Sequence, residues 1–349
     1  MKKKIIIIAG IVVVVALACV GFFMFENKIS EETSKISIEE EIKIEQPKIE
    51  IFSGEDRPFA VMLDNNKNAW PHASINKAYL AYEIIVEGGE SRIMALFKGV
   101  DADSIGPIRS SRHYFLDYAL ENDAIYAHLG WSPQAQSDIS TLGVNNINGQ
   151  AYDSGKAKTS AALFWRSTDK AKPHNAYTNI ECLREISEKL KYRTTSDKES
   201  VLNYVVGEVE FENNELAINA NSVTIPYASS NKIKYVYNSE TKMYEKYSKG
   251  KLQKDETTGE TVVTKNIIIT KAANYTLNDG ENKGRQGLNN IGSLEGYYIT
   301  NGKAISITCK KDSREGQTQY LDSNGKEIEV NDGKTFINIC PIDANVVIE

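Results

Sequence analysis

The sequence predicts an α+β protein: an N-terminal membrane anchor, a mixed α/β domain, then a mostly antiparallel all-β domain. Three observations favour this class. The chain begins with an uncharged apolar run, helical spacing then mixes with short apolar strands, and the last part shows only short strands separated by turns. A chain of 349 residues is long enough for more than one core. The predicted boundaries are 1–25 for the anchor, 26–56 for a linker, 57–198 for the first domain and 199–349 for the second.

The anchor is predicted from a basic start followed by 21 uncharged residues, Ile5 to Phe25. As a helix this run measures about 30 Å, which matches a bilayer core, and its basic end stays inside. A second interpretation rests on Cys19, since "ALAC" is similar to a lipoprotein cleavage site, although Ala16 stands where leucine is usual. Both interpretations, single-pass helix or lipid anchor, tether the rest of the chain to the outer face of the cell membrane.

Residues 26–56 are predicted to be a flexible acidic linker, because they hold ten acidic residues and four lysines. The remainder of the chain carries a small negative charge, which disfavours nucleic acid as a partner. The sequence contains no zinc-ligand spacing, no histidine-rich metal motif and no phosphate-binding glycine loop. No metal and no cofactor are therefore predicted.

The first domain combines strands, "PFAVMLD" and "AIYAHLG", with helices in "SRHYFLDYALEN", "SPQAQSDISTLG" and "NIECLREISEKLKY". The second domain has strand patterns throughout, and Asn-Gly pairs at 301–302 and 324–325 predict hairpins. Cys309 and Cys340 each fall in a predicted strand, where they can pair or remain buried thiols. All four histidines and all three tryptophans lie between residues 70 and 174, so we expect a functional site in the first domain.

A hairpin is predicted in "YLAYEIIVEGGESRIMALFKG", with Gly88-Gly89 as a two-residue loop. That register places Glu83 and Glu87 on the same face as Arg92, where both carboxylates would orient arginines. Two glutamates four apart on a strand are about 13 Å apart, which is too far for a glycosidase acid pair. Either one can still pair with a distant acid or histidine.

The stretch "GPIRSSRHYF" concentrates two arginines and two serines after a Gly-Pro break. A helix is predicted to begin between residues 108 and 110, with Arg109 and Arg112 on one face of its first turn and Ser110 in support. Arginine suits a carboxylate or phosphate ligand better than lysine does. The alternative is structural, with the arginines held by Glu83 and Glu87.

A second polar cluster lies in "FWRSTDKAKPHNAYT", where Pro173 opens an exposed loop. His174 is a candidate acid, base or hydrogen-bond donor, Asn175 a candidate amide donor, and Arg166 a supporting residue. A lone loop histidine is also common as an ordinary turn residue, so this assignment depends on what lies beside it.

Together these stretches resemble the YerB family of bacterial cell-surface lipoproteins, over nearly all of residues 57–342. The most specific pieces are the Glu-Gly-Gly…Arg, Gly-Pro-hydrophobic-Arg-Ser-x-Arg and Pro-His-Asn motifs. The resemblance implies an α/β domain followed by a β-rich domain, and a cell-surface location; it implies no reaction. The chain departs from the pattern in its weak cleavage site and in Cys309, where a tryptophan is expected.

Three hypotheses follow. In the first, an extracytoplasmic envelope protein binds an anionic glycan, a peptidoglycan fragment or a partner protein through an Arg/Glu/His cluster. The expected contacts are Arg92, Arg109, Arg112, His174 and Asn175, with support from Glu83, Glu87, Ser110 and Arg166. In the second, a cell-wall glycan hydrolase uses Glu83 or Glu87 with His174. In the third, a structural protein docks through its β domain.

Overall fold

The computed structural model describes residues 21–25, 27–28, 48–211 and 214–349. It divides into two compact units, Met1–Lys48 and Ile49–Glu349. The predicted anchor at 5–25 lies outside the described residues except for its last five, which are helical. Within the described part of the chain, no helix is long and apolar enough to cross a membrane.

The unit Ile49–Glu349 is rich in strands and has few helices, which makes it an α+β structure. Its α-helices are α1 (Phe115–Glu121), α2 (Pro133–Thr141) and α3 (Ile180–Lys189). The first half holds the strands β1 (Phe59–Asp64), β2 (Leu80–Ile85), β3 (Ser91–Phe97), β4 (Ile125–His128), β5 (Asn146–Asn148), β6 (Trp165–Arg166) and β7 (Ala176–Tyr177). The second half holds β8 (Tyr204–Val205), β9 (Ile218–Asn219), β10 (Ser222–Ala228), β11 (Asn231–Asn238), β12 (Met243–Ser248), β13 (Lys251–Leu252), β14 (Val263–Thr264), β15 (Asn266–Thr276), β16 (Gln286–Asn289), β17 (Gly292–Thr300), β18 (Lys303–Lys311), β19 (Gln319–Leu321), β20 (Val330–Asn331), β21 (Thr335–Pro341) and β22 (Val347–Ile348).

One large mixed sheet runs in the order β19-β18-β17-β15-β21-β2-β3-β1-β4-β5, with β16 on β15 and β9 on β18. A second sheet has the order β13-β12-β11-β10-β22, with β14 on β12. The large sheet draws strands from both sides of the boundary predicted at residue 198, since β2 pairs in parallel with β21. Most pairings after that boundary are antiparallel, apart from β15 with β21 and β8 with β20.

The large sheet is buried on both faces, and strand alternation assigns each side chain to one of them. Along β1, Val61 and Leu63 point into a core shared with the second sheet and α3, whereas Ala60 and Met62 point into a core shared with α1 and α2. Strands covered on both faces carry nearly continuous apolar sequence, as "FAVMLD" does.

Several predicted elements are confirmed. Strands form in "PFAVMLD" and "AIYAHLG", and α2 and α3 form where helical spacing indicated them. Asn301-Gly302 connects β17 to β18 as a two-residue hairpin loop with positive φ at both positions. The predicted start of the helix near residues 108–110 is wrong, because α1 begins at Phe115.

The compact unit begins before the predicted end of the linker. Residues 49–56 belong to it: the backbone amides of Glu50 and Ile51 donate to the carboxylate of Asp332, and Phe52 packs edge-on against Tyr79. The linker predicted from acidic composition therefore extends too far at its C-terminal end.

The cysteines described by the structure are free thiols. Cys309 and Cys340 lie in different cores, one on each side of the large sheet, so the sheet itself separates them. Burial raises the pKa of both thiols to about 12, which keeps them protonated and unreactive.

Candidate functional site

The β2–β3 hairpin has a loop one residue longer than predicted. Gly88 and Gly89 both adopt positive φ, as expected, but the amide of Val86 donates to the carbonyl of Glu90 across three residues rather than two. Arg92 therefore faces Ile84 instead of Ile85. Since a shift of one residue moves a side chain to the other face, the predicted grouping of Glu83 with Arg92 is wrong.

Glu83 lies on the closed face of the hairpin, between the two sheets. Its carboxylate lies 2.9 Å from the ammonium group of Lys246 on β12, and both side chains are almost fully buried. Asn65 and Ser91 donate further hydrogen bonds to it. Glu83 therefore orients no arginine, and its enclosed carboxylate cannot serve as a catalytic acid on a bound glycan.

The segment carrying the two arginines is extended rather than helical. Its backbone fills the gap where β1 and β4 diverge: Arg109 donates its amide to the carbonyl of Met62, and its carbonyl accepts from Leu129. The amides of Arg109 and Ser111 thus donate to backbone carbonyls, and the free helix N-terminus predicted for an anion does not form in this segment. Gly106 is required at the start of this segment, because a Cβ there would lie 2.7 Å from the carbonyl oxygen of Ala176.

Arg112 is neutralised by Glu87, as one of the two interpretations predicted. The guanidinium group donates to both carboxylate oxygens, at 2.5 and 3.0 Å, and to the carbonyl of Ser111. Partial burial alone would raise the pKa of Glu87, but the hydrogen bonds and charge of Arg112 outweigh it and lower the pKa below its ordinary value. Glu87 is therefore ionised at neutral pH, the opposite of what a general acid requires.

Arg109 has a different partner, Asp64 at the end of β1. Its Nε lies 3.2 Å from Asp64 Oδ2, and the same oxygen lies 2.7 Å from Nδ1 of His174. The two terminal nitrogens of Arg109 make no hydrogen bond to any described residue, and 27 % of its side chain is exposed. One buried carboxylate thus holds a guanidinium fork and an imidazole side by side.

Arg92 is a buried cation without a carboxylate partner among the described residues. It donates one hydrogen bond, to the carbonyl of Ser110, and only 7 % of the residue is exposed. Burial and the nearby charge of Arg112 lower its pKa to about 10, so it remains protonated at neutral pH. Ser110 therefore supports Arg92 through its backbone.

These groups line one cleft of about 350 Å³, which opens where β1, the β2–β3 turn and the loop of His174 meet. Its walls are Asp64, Asn66, Val86, Glu87, Glu90, Ser91, Arg92, Arg109, Arg112, His174, Lys283 and Arg285. At the rim, Glu90 pairs with Lys249, and Arg285 pairs with Asp279 and Glu281. Most rim charges are neutralised in this way, whereas among the described residues Arg92 has no carboxylate in contact and the terminal nitrogens of Arg109 have no hydrogen-bond partner.

Of the predicted site residues, Asn175 and Arg166 lie outside this cleft, as do Glu83 and Ser110. Asn175 is buried, accepts from Arg166 and donates to the carbonyl of Ser167, so its amide braces the loop that carries His174. Arg166 donates twice to Asp153. Both residues hold the loop in place, which makes Asn175 a poor candidate for ligand contact.

The other histidines do not reach the cleft. His72 and His128 are buried, and burial lowers the pKa of each to about 4, so both rings are neutral structural groups. His113 lies beside Arg314, and burial lowers its pKa as well. His174 is therefore the histidine that can meet a ligand.

A profile for the N-terminal domain of a protein family of unknown function, DUF3048, matches residues 46–193. The profile for the C-terminal domain of the same family matches residues 223–337. The chain belongs to the DUF3048 family.

A protein from Bacillus subtilis is similar to the chain in both sequence and structure. The chain is 27 % identical over 298 residues to "Putative lipoprotein YerB" of Bacillus subtilis (strain 168), covering 82 % of each protein. The crystal structure of YerB from Bacillus subtilis matches with a TM-score of 0.72 and 28 % identity, over 84 % of this chain and 94 % of that one. The resemblance to the YerB family seen in the sequence is therefore confirmed.

Sequence reasoning missed Asp64 and Lys246. Asp64 is the last residue of a buried strand, a position where an acidic side chain often reaches a functional edge, so a signal was present. Lys246 lies in "MYEKYS", which alternates like any half-exposed strand, and nothing local indicates that its charge is buried. Its partner comes from a strand more than 160 positions earlier.

Proposed function

We propose that this chain is a membrane-associated envelope protein whose cleft binds an anionic group on a cell-wall glycan, a peptidoglycan fragment or a partner protein. The observation that carries the proposal is the pair formed by Arg109 and Arg92. Both guanidinium groups line the cleft, and both retain donors without a protein partner among the described residues. A carboxylate or phosphate would satisfy those donors and balance the charge of Arg92.

The anchoring part of the proposal rests on the relative. Because the related protein from Bacillus subtilis is named a lipoprotein, we favour a lipid on Cys19 over a single-pass helix. The unaltered chain should incorporate a labelled fatty acid, and replacing Cys19 with alanine should abolish that incorporation. Absence of label in the unaltered chain, or label that persists in Cys19→Ala, would contradict a lipid on Cys19.

The surroundings of the two glutamates do not support the hydrolase hypothesis. Glu83 is enclosed with Lys246, and Glu87 is held ionised by Arg112, so neither carboxylate has the surroundings of a general acid. Docking through the β-rich segment has no observation that favours it over the cleft.

The cleft is tested by binding of the full chain, purified in detergent, to isolated cell-wall material. Loss of a charge-assisted hydrogen bond is worth about 1.5–3 kcal/mol, so Arg109→Ala should weaken binding roughly tenfold or more. The matched control is Arg184→Ala, which removes the same charge from an exposed ion pair with Asp101 outside the cleft. Equal weakening in both variants would indicate nonspecific attraction, and unchanged binding in Arg109→Ala would overturn the proposal.

A further inference from the structure

We propose that the cleft selects a carboxylate that carries a neighbouring hydroxyl group, as in a sugar acid or hydroxy acid, and that Asp64 positions the residues that read both groups. This inference rests on the proposed function, since it names the ligand class of the same cleft. It follows from how one carboxylate divides its contacts between Arg109 and His174.

Both carboxylate oxygens of Asp64 contact other groups of the protein. Its Oδ2 faces both Nδ1 of His174 and Nε of Arg109, while its Oδ1 accepts the backbone amide of Asn66 at 3.2 Å. Only 5 % of its side chain is exposed. Asp64 lines the cleft with little exposed surface, and its main role is to fix the two side chains beside it.

The contact with Asp64 decides which atom of His174 faces the ligand. A carboxylate only accepts hydrogen bonds, so Nδ1 must carry the proton in the 2.7 Å contact. In the neutral ring, Nε2 then holds a lone pair and acts as an acceptor. Nε2 has no partner among the described residues, and His174 lines the cleft, so Nε2 can accept from a ligand donor such as a hydroxyl group.

The contact with Asp64 also decides how Arg109 is presented. Because Nε is the atom held by the carboxylate, the two terminal nitrogens remain as a planar pair of donors. Such a fork matches the two oxygens of a carboxylate. Arg92 adds positive charge from the wall of the cleft and stabilises the bound anion.

Arg109 and His174 both contact the same oxygen, Asp64 Oδ2. The donor fork of Arg109 and the acceptor Nε2 of His174 therefore lie close to each other. A ligand that satisfies both carries an anion and a hydroxyl donor close together. A simple carboxylate leaves Nε2 of His174 unpaired, and an uncharged sugar leaves the guanidinium groups unpaired. A buried site built for a hydrogen bond discriminates against the analogue that lacks it.

The test measures calorimetric binding of four probes to the full chain in detergent: glucuronate, cyclohexanecarboxylate, glucose and inorganic phosphate. Glucuronate presents both groups, whereas each other organic probe lacks one. We expect glucuronate to bind about tenfold or more tightly than cyclohexanecarboxylate or phosphate, and glucose to give no measurable heat, because each lost interaction corresponds to roughly a factor of ten.

Variants separate the roles of the two side chains. His174→Phe should remove the preference for glucuronate over cyclohexanecarboxylate, and His174→Gln, which keeps an acceptor, should restore part of it. Arg109→Ala should weaken both acids equally. Asp64→Ala should abolish the preference and also the nitrogen NMR signature of the Nδ1-protonated tautomer of His174, which a purely structural role for Asp64 would leave intact.

The outcomes distinguish this inference from the proposed function. Equal binding of the two acids, tighter binding of phosphate, or a preference that survives His174→Phe overturns the ligand class but leaves an Arg109-dependent anion cleft. Failure of all four probes, with wall binding that still requires Arg109, also overturns the ligand class. Failure of the probes together with wall binding indifferent to Arg109 overturns both.

Discussion

Each face of the β2–β3 hairpin buries a cation, and the two cations differ in their partners and in their access to solvent. On the face between the sheets, Lys246 is paired with Glu83 and closed off from solvent. On the other face, Arg92 has a backbone carbonyl as its hydrogen-bond partner and lies in the wall of a cleft. A buried charge paired in direct contact serves the fold, whereas a buried guanidinium group that has no carboxylate in contact and lies beside an opening indicates a site for an anion.

The largest effect should come from breaking the neutralised pair. Glu83→Gln leaves Lys246 buried without a counter-charge, so the free energy of unfolding should fall by about 3–5 kcal/mol. Urea denaturation measures this loss. The double variant with Lys246→Met should recover most of it, and a single-variant loss below about 1 kcal/mol would contradict the assignment.

A third buried cation, Lys334, should make the stability of the protein depend on pH. Lys334 is bonded to the carbonyl of Ile75, and burial lowers its pKa from 10.5 to about 7. Because the folded state releases this proton before the unfolded state does, stability should rise with pH between about 7 and 10.5. In Lys334→Met, the free energy of unfolding measured by denaturation should rise less over this pH range. If both proteins show the same pH dependence, Lys334 does not cause the rise.

In the hairpin turn, substitution of Gly89 should reduce stability more than substitution of its neighbour Gly88. Gly88 and Gly89 both have positive φ, but a Cβ on Gly89 would lie 2.6 Å from that of Ala228, and one on Gly88 would meet open space. Gly89→Ala should reduce stability by about 2 kcal/mol or more, and Gly88→Ala by about 1 kcal/mol. Thermal unfolding of the two variants compares them, and equal losses would show that the sheet yields easily at Ala228.

The smallest effect on stability should come from the cation in the cleft. Arg92→Met removes a desolvated charge and one hydrogen bond to Ser110, two contributions that oppose each other, so stability should change by no more than about 1 kcal/mol. Binding to cell-wall material should nevertheless be lost. A loss of stability comparable to that of Glu83→Gln would mean that Arg92 serves the fold, and the contrast between the two faces would disappear.

Short-range patterns predicted much of the fold. Apolar runs and helical spacing identified β1, β4, α2 and α3, and the turn residues identified the loop between β17 and β18. These features depend on neighbours in sequence, which is why the sequence alone suffices for them. The start of α1 was missed because pairing with β1 keeps the backbone of Arg109 extended, and that pairing is a long-range contact.

The sequence by itself determined the family, the α+β class, and the presence of arginines, glutamates and a histidine in the first half of the chain. The tertiary structure decided which charges meet. One extra loop residue moved Glu83 to the opposite face from Arg92, and Asp64, Arg109 and His174 converge although up to 110 positions separate them. Charge pairing acts through space over a few ångströms, so it depends on strand register and loop packing that no local pattern in a single sequence specifies.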